Sequence, residues 1–293
     1  MSFLSYLING ISLGSIYAII ALGYTMVYGI ARMLNFAHGD IIMVGGFAIF
    51  TVVSTMGLPP LLGIFVAILV CTVLGVTIER VAYRPLRGAS SLAVLITAIG
   101  VSYLLQNVAL LIFGSNARQF TSVVTLPNLK LADGALTISS VTIVTIISCI
   151  AIMVALTSFI NKTKVGQAML AVSEDNGAAT LMGIDVNRTI AITFAIGSAL
   201  AAIAGALLCS TYPSLTPYTG SMPGIKAFVA AVFGGIGSIP GALIGGILLG
   251  VVENLSKAYI SSQLSDTIVF SVLIIVLLVR PTGILGRKIH EKV

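Results

Sequence analysis

The sequence predicts an all-α fold, a polytopic bundle of about seven to eight membrane-spanning helices, and two observations carry that prediction. Of the 293 residues 58% are hydrophobic and only 8% are charged, where an ordinary soluble domain carries about a quarter charged residues. The apolar residues also come in runs of roughly 20, the length at which a helix crosses about 30 Å of hydrocarbon. A surface so poor in charge cannot be kept in water, so the bilayer is the solvent, and residues 1–293 read as one transmembrane domain.

Taken in order, spans are expected at 4–29, 34–54, 60–78, 92–113, 137–160, 189–210 and 266–279, with an eighth, irregular segment near 225–252. The first lacks the basic n-region and small-residue cleavage site of a secretory signal and reads as a retained span. The links between the runs differ in charge, which orients the chain. Arg32, Arg80, Arg84, Arg87, Lys162, Lys164, Arg188, Arg280, Arg287, Lys288 and Lys292, eleven of the 15 basic residues, then lie on the cytoplasmic side. The formal net charge of +6 is spread through short links and forms no basic stripe, so it is a topology signal and excludes a nucleic-acid partner.

Starting outside, six crossings return the chain to the outside near 211–224, and one more would bring the C-terminus into the cytoplasm, yet two apolar segments remain. The segment 227–251 is the one expected not to cross as a continuous helix. It contains Gly234, Gly235, Gly237, Pro240, Gly241, Gly245, Gly246 and Gly250, a density that breaks a helix into pieces. A re-entrant pair of half-helices is predicted there, its freed backbone buried in protein or lining a watery cavity; the competing reading is a continuous helix with glycines for close packing. The outer link 114–136 is polar, with Pro127 and an Asp133-Gly134 turn, and reads as a surface loop.

The search for chemistry is mostly negative. The chain has no G-x-x-x-x-G-K-[ST] phosphate loop, so ATP hydrolysis is not its own. Cys71, Cys149 and Cys209 lie in or beside apolar runs and read as small hydrophobes, with neither disulfide nor metal spacing. Asp40 is the one acid well inside the first six spans, too few for a proton- or sodium-coupled carrier. No metal site is expected, since His38 has only His290 in the tail for company.

The second span opens on M-L-N-F-A-H-G-D, placing Asn35, His38, Gly39 and Asp40 in apolar surroundings, where polar groups are costly and usually functional. On a continuous helix Asn35 and His38 share a face and Asp40 points elsewhere unless Gly39 breaks it. Three roles stay open: contact with a pathway, hydrogen bonds locking helices at a gate, or capping near the interface. Counted from Arg32, His38 and Asp40 lie about 9–12 Å along the axis, shallow for a midplane site. Gly235, Gly237 and Ser238, at the break, are the other pathway candidates.

The link 161–188 carries apolar Val165, Met169 and Val172, then Ala179, Leu181 and Met182, among polar residues. It reads as one or two short surface helices broken at Gly177 and Gly183, suited to a groove on a cytoplasmic partner.

These blocks make the chain recognisable. L-N-F-A-H-G-D (34–40), E-R-V-A-Y-R-P-L-R (79–87), G-Q-A-M-L-A-V-S-E-D-N-G-A-A-T-L-M-G-I (166–184) and F-G-G-I-G-S-I-P-G-A-L-I-G-G (233–246) resemble the permease subunits of ATP-binding-cassette importers for leucine, isoleucine and valine. The resemblance spans about 6–286. The 34–40 block alone recurs in relatives carrying urea, ribose or nucleosides and names only the superfamily; the 79–87 block points to the amino acid branch. The resemblance implies a non-enzymatic permease in lipid of the bacterial cytoplasmic membrane, paired with a homologous second permease. It also implies two cytoplasmic ATPase subunits that hold the ATP and Mg, and an extracytoplasmic substrate-binding protein. It makes 164–184 the ATPase-coupling segment, with Gly166, Ala168, Glu174, Asp175, Asn176, Ala179 and Gly183 as its candidate residues. A channel, a secondary carrier and a membrane enzyme are the rival classes; a channel leaves 166–184 unexplained, and an enzyme would want clustered His, Asp, Glu or Cys.

Overall fold

The computed structural model describes residues 2–131 and 136–286, and these form a membrane helix bundle with two small β ribbons. Among the described residues seven helices are long and apolar enough to cross a bilayer. They are α1 (Ser2–Ala31), α2 (His38–Phe50, continued by a π turn at Thr51–Thr55), α3 (Pro60–Ile78, continued by turns to Leu86), α4 (Ser91–Phe113), α5 (Ser140–Lys162), α8 (Val186–Thr211) and α10 (Ile239–Tyr259). Two short helices, α6 (Lys164–Glu174) and α7 (Asn176–Leu181), connect α5 to α8. Shorter apolar helices α9 (Ser221–Gly234) and α11 (Ser265–Val279) flank α10. The first six expected spans are present as membrane-length helices, but the one expected at 266–279 is the 15-residue α11, and the seventh membrane-length helix is α10, in the segment expected not to cross; Cys71, Cys149 and Cys209 are buried free thiols.

Helix α1 is the mast of the bundle. Ile16, Ala18, Ile19, Ile20, Ala21 and Leu22 are fully buried, so the helix is covered all round, as a helix apolar on every face must be. Its tightest neighbour is α10, and the contact is backbone on backbone. A Cβ added to Gly250 would fall 2.1 Å from the Gly14 nitrogen, and one on Gly246 would fall 2.5 Å from Cα of Ala18. Gly10 likewise abuts Val251, and Gly29 abuts Gly237. This succession makes the two helices antiparallel and explains the glycines of α10 as close-packing residues.

The break in the glycine-rich segment falls where the sequence predicts it, at 235–238 between α9 and α10. Gly235 and Gly237 take φ of 104° and 90°, values that only glycine adopts at low cost. The two arms are unequal: α9 has 14 residues, while α10 has 21 and is a full span rather than a half-helix. The turn also lies at a bundle end, beside Gly29 near the close of α1, where the chain 283–286 covers it. Ile284 and Leu285 donate backbone hydrogen bonds to the carbonyls of Phe233 and Gly234 (2.9 and 3.0 Å). The odd number of apolar segments is thus resolved by three helices, α9, α10 and α11, after α8.

That end holds Arg32, the turns after α3, α6, α7 and the start of α8. Arg87 bonds both Glu79 and Asn187, tying the 79–87 link to α8. The opposite end carries the ribbons: β1 (Arg118–Gln119) pairs with β4 (Ser214–Leu215), and β2 (Leu129–Leu131) with β3 (Leu136–Ile138), both antiparallel. The predicted outer loop is therefore partly pinned to the segment after α8. The Asp133-Gly134 turn and the tail residues Arg287, Lys288, His290 and Lys292 lie outside the described residues.

Because Gly250 sits against the Gly14 backbone, Gly250→Val is expected to destabilise the detergent-solubilised chain by about 1–3 kcal/mol or more, as overpacking does. Gly88→Ala, with open space around its Cβ position, is the control. Thermal unfolding reads both, and equal midpoints for the two variants would refute the packing account.

Candidate functional site

The polar start of α2 is three separate ties rather than one cluster. The helix begins at His38, not at Leu34, so Asn35 stands in the turn before it and does not share a helical face with His38. Asn35 is buried and its Oδ1 accepts a hydrogen bond from the Tyr83 hydroxyl at the end of α3 (3.0 Å). His38 turns to α1, edge-on to Tyr24 with ring centroids 4.6 Å apart. It fits only because residue 23 is glycine: a Cβ there would lie 2.5 Å from Nε2. Asp40 faces α4, where its Oδ1 accepts from Gln106 Nε2 (2.9 Å).

Gln106 is the junction of this region. Its amide also reaches Ser102 Oγ (3.2 Å) and Ser221 Oγ at the start of α9 (3.3 Å). Gly39 completes the contact, since a Cβ there would fall 2.6 Å from the Gly220 carbonyl and one on Gly224 would fall 2.8 Å from Cα of Gly39. The first turns of α2 and α9 therefore touch through bare backbone. Asn35 and Asp40, costly in hydrocarbon, are satisfied here by other helices and so each fixes one helix against another, whereas the buried Nε2 of His38 has no hydrogen-bond partner among the described residues.

Gly235, Gly237 and Ser238 are not brought to this place. They lie at the other end of α9, about 20 Å away at 1.5 Å per residue. Ser238 caps α10, its Oγ accepting from the Gly241 amide (3.2 Å), so the serine completes a helix end by local means.

In the link after α5, Thr163 caps α6 through the Gly166 amide (3.0 Å). Gly166 is needed because a Cβ would lie 2.4 Å from Cα of Ile160. The break between α6 and α7 comes at Asp175, not at Gly177. Asp175 is extended and its carboxylate accepts from the Gly177 and Ala178 amides (2.7 and 3.0 Å), so a cap outweighs the glycine beside it. Gly183, at φ 83°, closes α7 as expected. Met169, Val172 and Ala179 are buried toward the bundle and Ala168 is half-buried, while Glu174, Asp175 and Asn176 are exposed. Leu181 and Met182 stand out, 90% and 82% exposed. Arg32, itself in the left-handed region at φ 53°, ends α1 and donates to the Ser173 carbonyl (2.8 Å), joining this link to the mast.

One buried charge group was missed by sequence reasoning. Lys226 on α9 pairs with Glu253 on α10 (2.8 Å) and Asp266 on α11 (2.6 Å), and Lys257 also reaches Glu253 (2.6 Å). The Tyr17 hydroxyl of α1 donates to the other oxygen of Glu253 (2.8 Å). Two ammonium groups face two carboxylates, so the set is neutral, with the side chains of Lys226 and Glu253 only 8% and 1% exposed. The signal was available as single charges inside apolar stretches.

Residues 6–278 match the family described as the permease component of the branched-chain amino acid transport system. The chain belongs to this permease family. Among its relatives, the high-affinity branched-chain amino acid transport system permease protein LivH of Salmonella typhimurium is 48% identical, over 99% of this chain and 98% of its own length. LivH of Escherichia coli K12 and BraD of Pseudomonas aeruginosa are each 46% identical with the same coverage. The resemblance drawn from residues 34–40, 79–87, 166–184 and 233–246 is thus shown along the whole permease chain.

Removing one member of the buried ion set leaves an uncompensated charge. Lys226→Met is expected to lower stability by about 3–5 kcal/mol, and Lys226→Met/Glu253→Gln to recover part of the loss. Thermal unfolding in detergent checks this, and a single variant as stable as the parent would remove the ion set from the account.

Proposed function

We propose that this permease is the membrane-spanning subunit of an ATP-binding-cassette importer that takes up leucine, isoleucine and valine. The observation that carries the reading is the end-to-end match to relatives whose names give that transport. Each substrate is a zwitterion with an apolar side chain, costly to carry through hydrocarbon unescorted.

The end holding Arg32, Arg80, Arg84, Arg87, Lys162, Lys164, Arg188 and Arg280 faces the cytoplasm of the bacterial inner membrane in this reading. The C-terminus follows on that side. Two cytoplasmic ATPases bind the ATP and Mg, a homologous permease completes the pore, and an extracytoplasmic binding protein delivers substrate. The segment α6–α7, with Leu181 and Met182 uncovered, is the part offered to an ATPase groove.

Force on that segment has three routes into the bundle: Gly166 packed on Ile160 of α5, the chain itself into α8, and Arg32 on the Ser173 carbonyl into α1. ATP drives the cycle because the ATPases bind it more tightly in one arrangement than in the other. Asn35, His38, Gly39 and Asp40 act in this scheme as a lock between helices at the inner gate. Gly235, Gly237 and Ser238 form the turn about which α9 and α10 adjust.

The test is to purify the tagged chain from its native membrane and assay ATP hydrolysis with leucine and binding protein. ATPase subunits are expected to co-purify, and hydrolysis to rise with both additions. Leu181→Glu/Met182→Glu is expected to reduce the ATPase recovered at least tenfold while the chain's own unfolding stays unchanged. A chain that comes out alone and passes leucine through liposomes without ATP would sink the importer reading.

A further inference from the structure

The charge set that joins α9, α10 and α11 has no part in the gate or in the ATPase contact, and stability is a weak reason for it. A buried ion group contributes little over apolar side chains of the same volume, and ionisable residues inside a bilayer are usually functional. Its members are not equivalent. Glu253 is fully committed: Oε1 accepts from Lys226 and Lys257, and Oε2 accepts from the Tyr17 hydroxyl. It stands about 9 Å inside the end of α10, with its side chain 1% exposed. Asp266 is the opposite case. It is the second residue of α11, its side chain is 43% exposed, and among the described residues its carboxylate is bonded to Lys226 alone (2.6 Å). The Lys226 ammonium has three N–H donors and spends one on Glu253 and one on Asp266, which leaves a third.

An apolar recess continues from this set. Phe233 lies seven residues after Lys226, Leu249 four before Glu253 and Val269 three after Asp266, so each extends the face of its helix that carries the charge. These three side chains are buried, and with Val272 they line one recess between the three helices. All three steps lead the same way. Helix α9 runs into the turn at 235–238, α10 runs out of it, and the chain after α11 returns to it through Ile284 and Leu285. The recess therefore lies on the turn side of the charges on every helix, beginning about 5 Å from them, one helical turn.

Opposite charges at the mouth of an aliphatic recess are the layout of a small-ligand site, apolar walls with a few polar groups that fix orientation. They are also the layout of an amino acid whose charged end is zwitterionic and whose side chain is aliphatic. We propose that Lys226 and Asp266 form a binding site for such an amino acid, with Phe233, Leu249, Val269 and Val272 enclosing its side chain. The α-carboxylate takes the remaining donor of Lys226 and the α-ammonium takes the second oxygen of Asp266, so no charge is left alone. Glu253, Tyr17 and Lys257 hold Lys226 in position. The recess is narrow as it stands and admits the side chain when α11, packed on α9 and α10, moves outward with Asp266 and Val269. The inference deepens the importer reading and rests on it for the substrate class.

The test uses the full chain purified in detergent with the subunits that accompany it, no binding protein, and a leucine whose side chain carries a diazirine. Irradiation is expected to label the peptides holding Leu249 and Val269, and excess leucine to remove that label. Isovalerate, which lacks the ammonium, and isoamylamine, which lacks the carboxylate, are expected to compete about tenfold less well. Asp266→Asn keeps an oxygen for Lys226 and is expected to cut the displaceable label about tenfold in protein that still unfolds cooperatively, with Asp266→Glu restoring most of it. A purely structural ion set predicts neither the competition order nor the rescue. Label spread over the exposed helix faces, or label that leucine does not displace, overturns the site. ATPase recovery and leucine-stimulated hydrolysis by the same sample, once binding protein is added, read the importer assignment separately. ATPases present with no displaceable label sinks the site alone; displaceable label at 249 and 269 with no ATPases sinks the importer reading alone.

Discussion

Inside a bilayer no backbone amide or hydroxyl can turn to water for a partner, and the arrangement of this chain follows from that constraint. The hydroxyls of Ser15, Thr51, Thr193 and Ser210 return to their own helices, at Ile11, Phe47, Thr189 and Ala206, while those of Thr25 and Thr145 are buried without a partner among the described residues. The one break in a long apolar stretch, at 235–238, sits where the chain 283–286 supplies amides to the carbonyls it frees. With no hydrophobic force between helices in lipid, cohesion comes from close packing, and the bare glycine contacts of α1 with α10 provide it along the whole mast.

The short helix α9 shows what polar groups add to that packing. With 14 residues it is too short to span, and it is held at three levels. Its start touches α2 through Gly220 and Gly39 and α4 through Ser221 and Gln106. Its middle is fixed by Lys226 to Glu253 and Asp266, and its end is covered by Ile284 and Leu285. Each tie is a group that would be expensive if left alone, so the helix has one position in which all are satisfied. The same logic governs α2, whose first residues bind three different neighbours. These two helices meet, which makes their junction the place where a movement in either is felt by the other.

The surface link works by the opposite rule. The helices α6 and α7 keep Met169, Val172 and Ala179 for the bundle and leave Leu181 and Met182 uncovered at the basic end. Soluble surroundings would not favour two bare apolar side chains side by side, whereas a partner groove would. Arg32 matters here because it ends α1 in a left-handed turn and bonds to this link, so the mast and the surface element are mechanically continuous.

Composition and run length alone determined that the chain is a membrane bundle, because hydropathy over about 20 residues is a local property and the bilayer thickness is fixed. The break near 235 was equally legible, since Gly235 and Gly237 occupy conformations that the residue type announces. The motifs at 34–40 and 166–184 marked the right stretches but not their partners. Nothing local says that Asn35 answers to Tyr83, that Asp40 answers to Gln106, or that the cap of Asp175 outcompetes Gly177 as a break. The length of α10 and the pairing of Lys226 with Glu253 were decided only in three dimensions, where residues 27 apart in sequence on two different helices come to share one buried charge set. Periodicity reports which face of a helix is apolar; which helix lies against that face is settled by fit, by bare glycine and by the partner that each buried polar group requires.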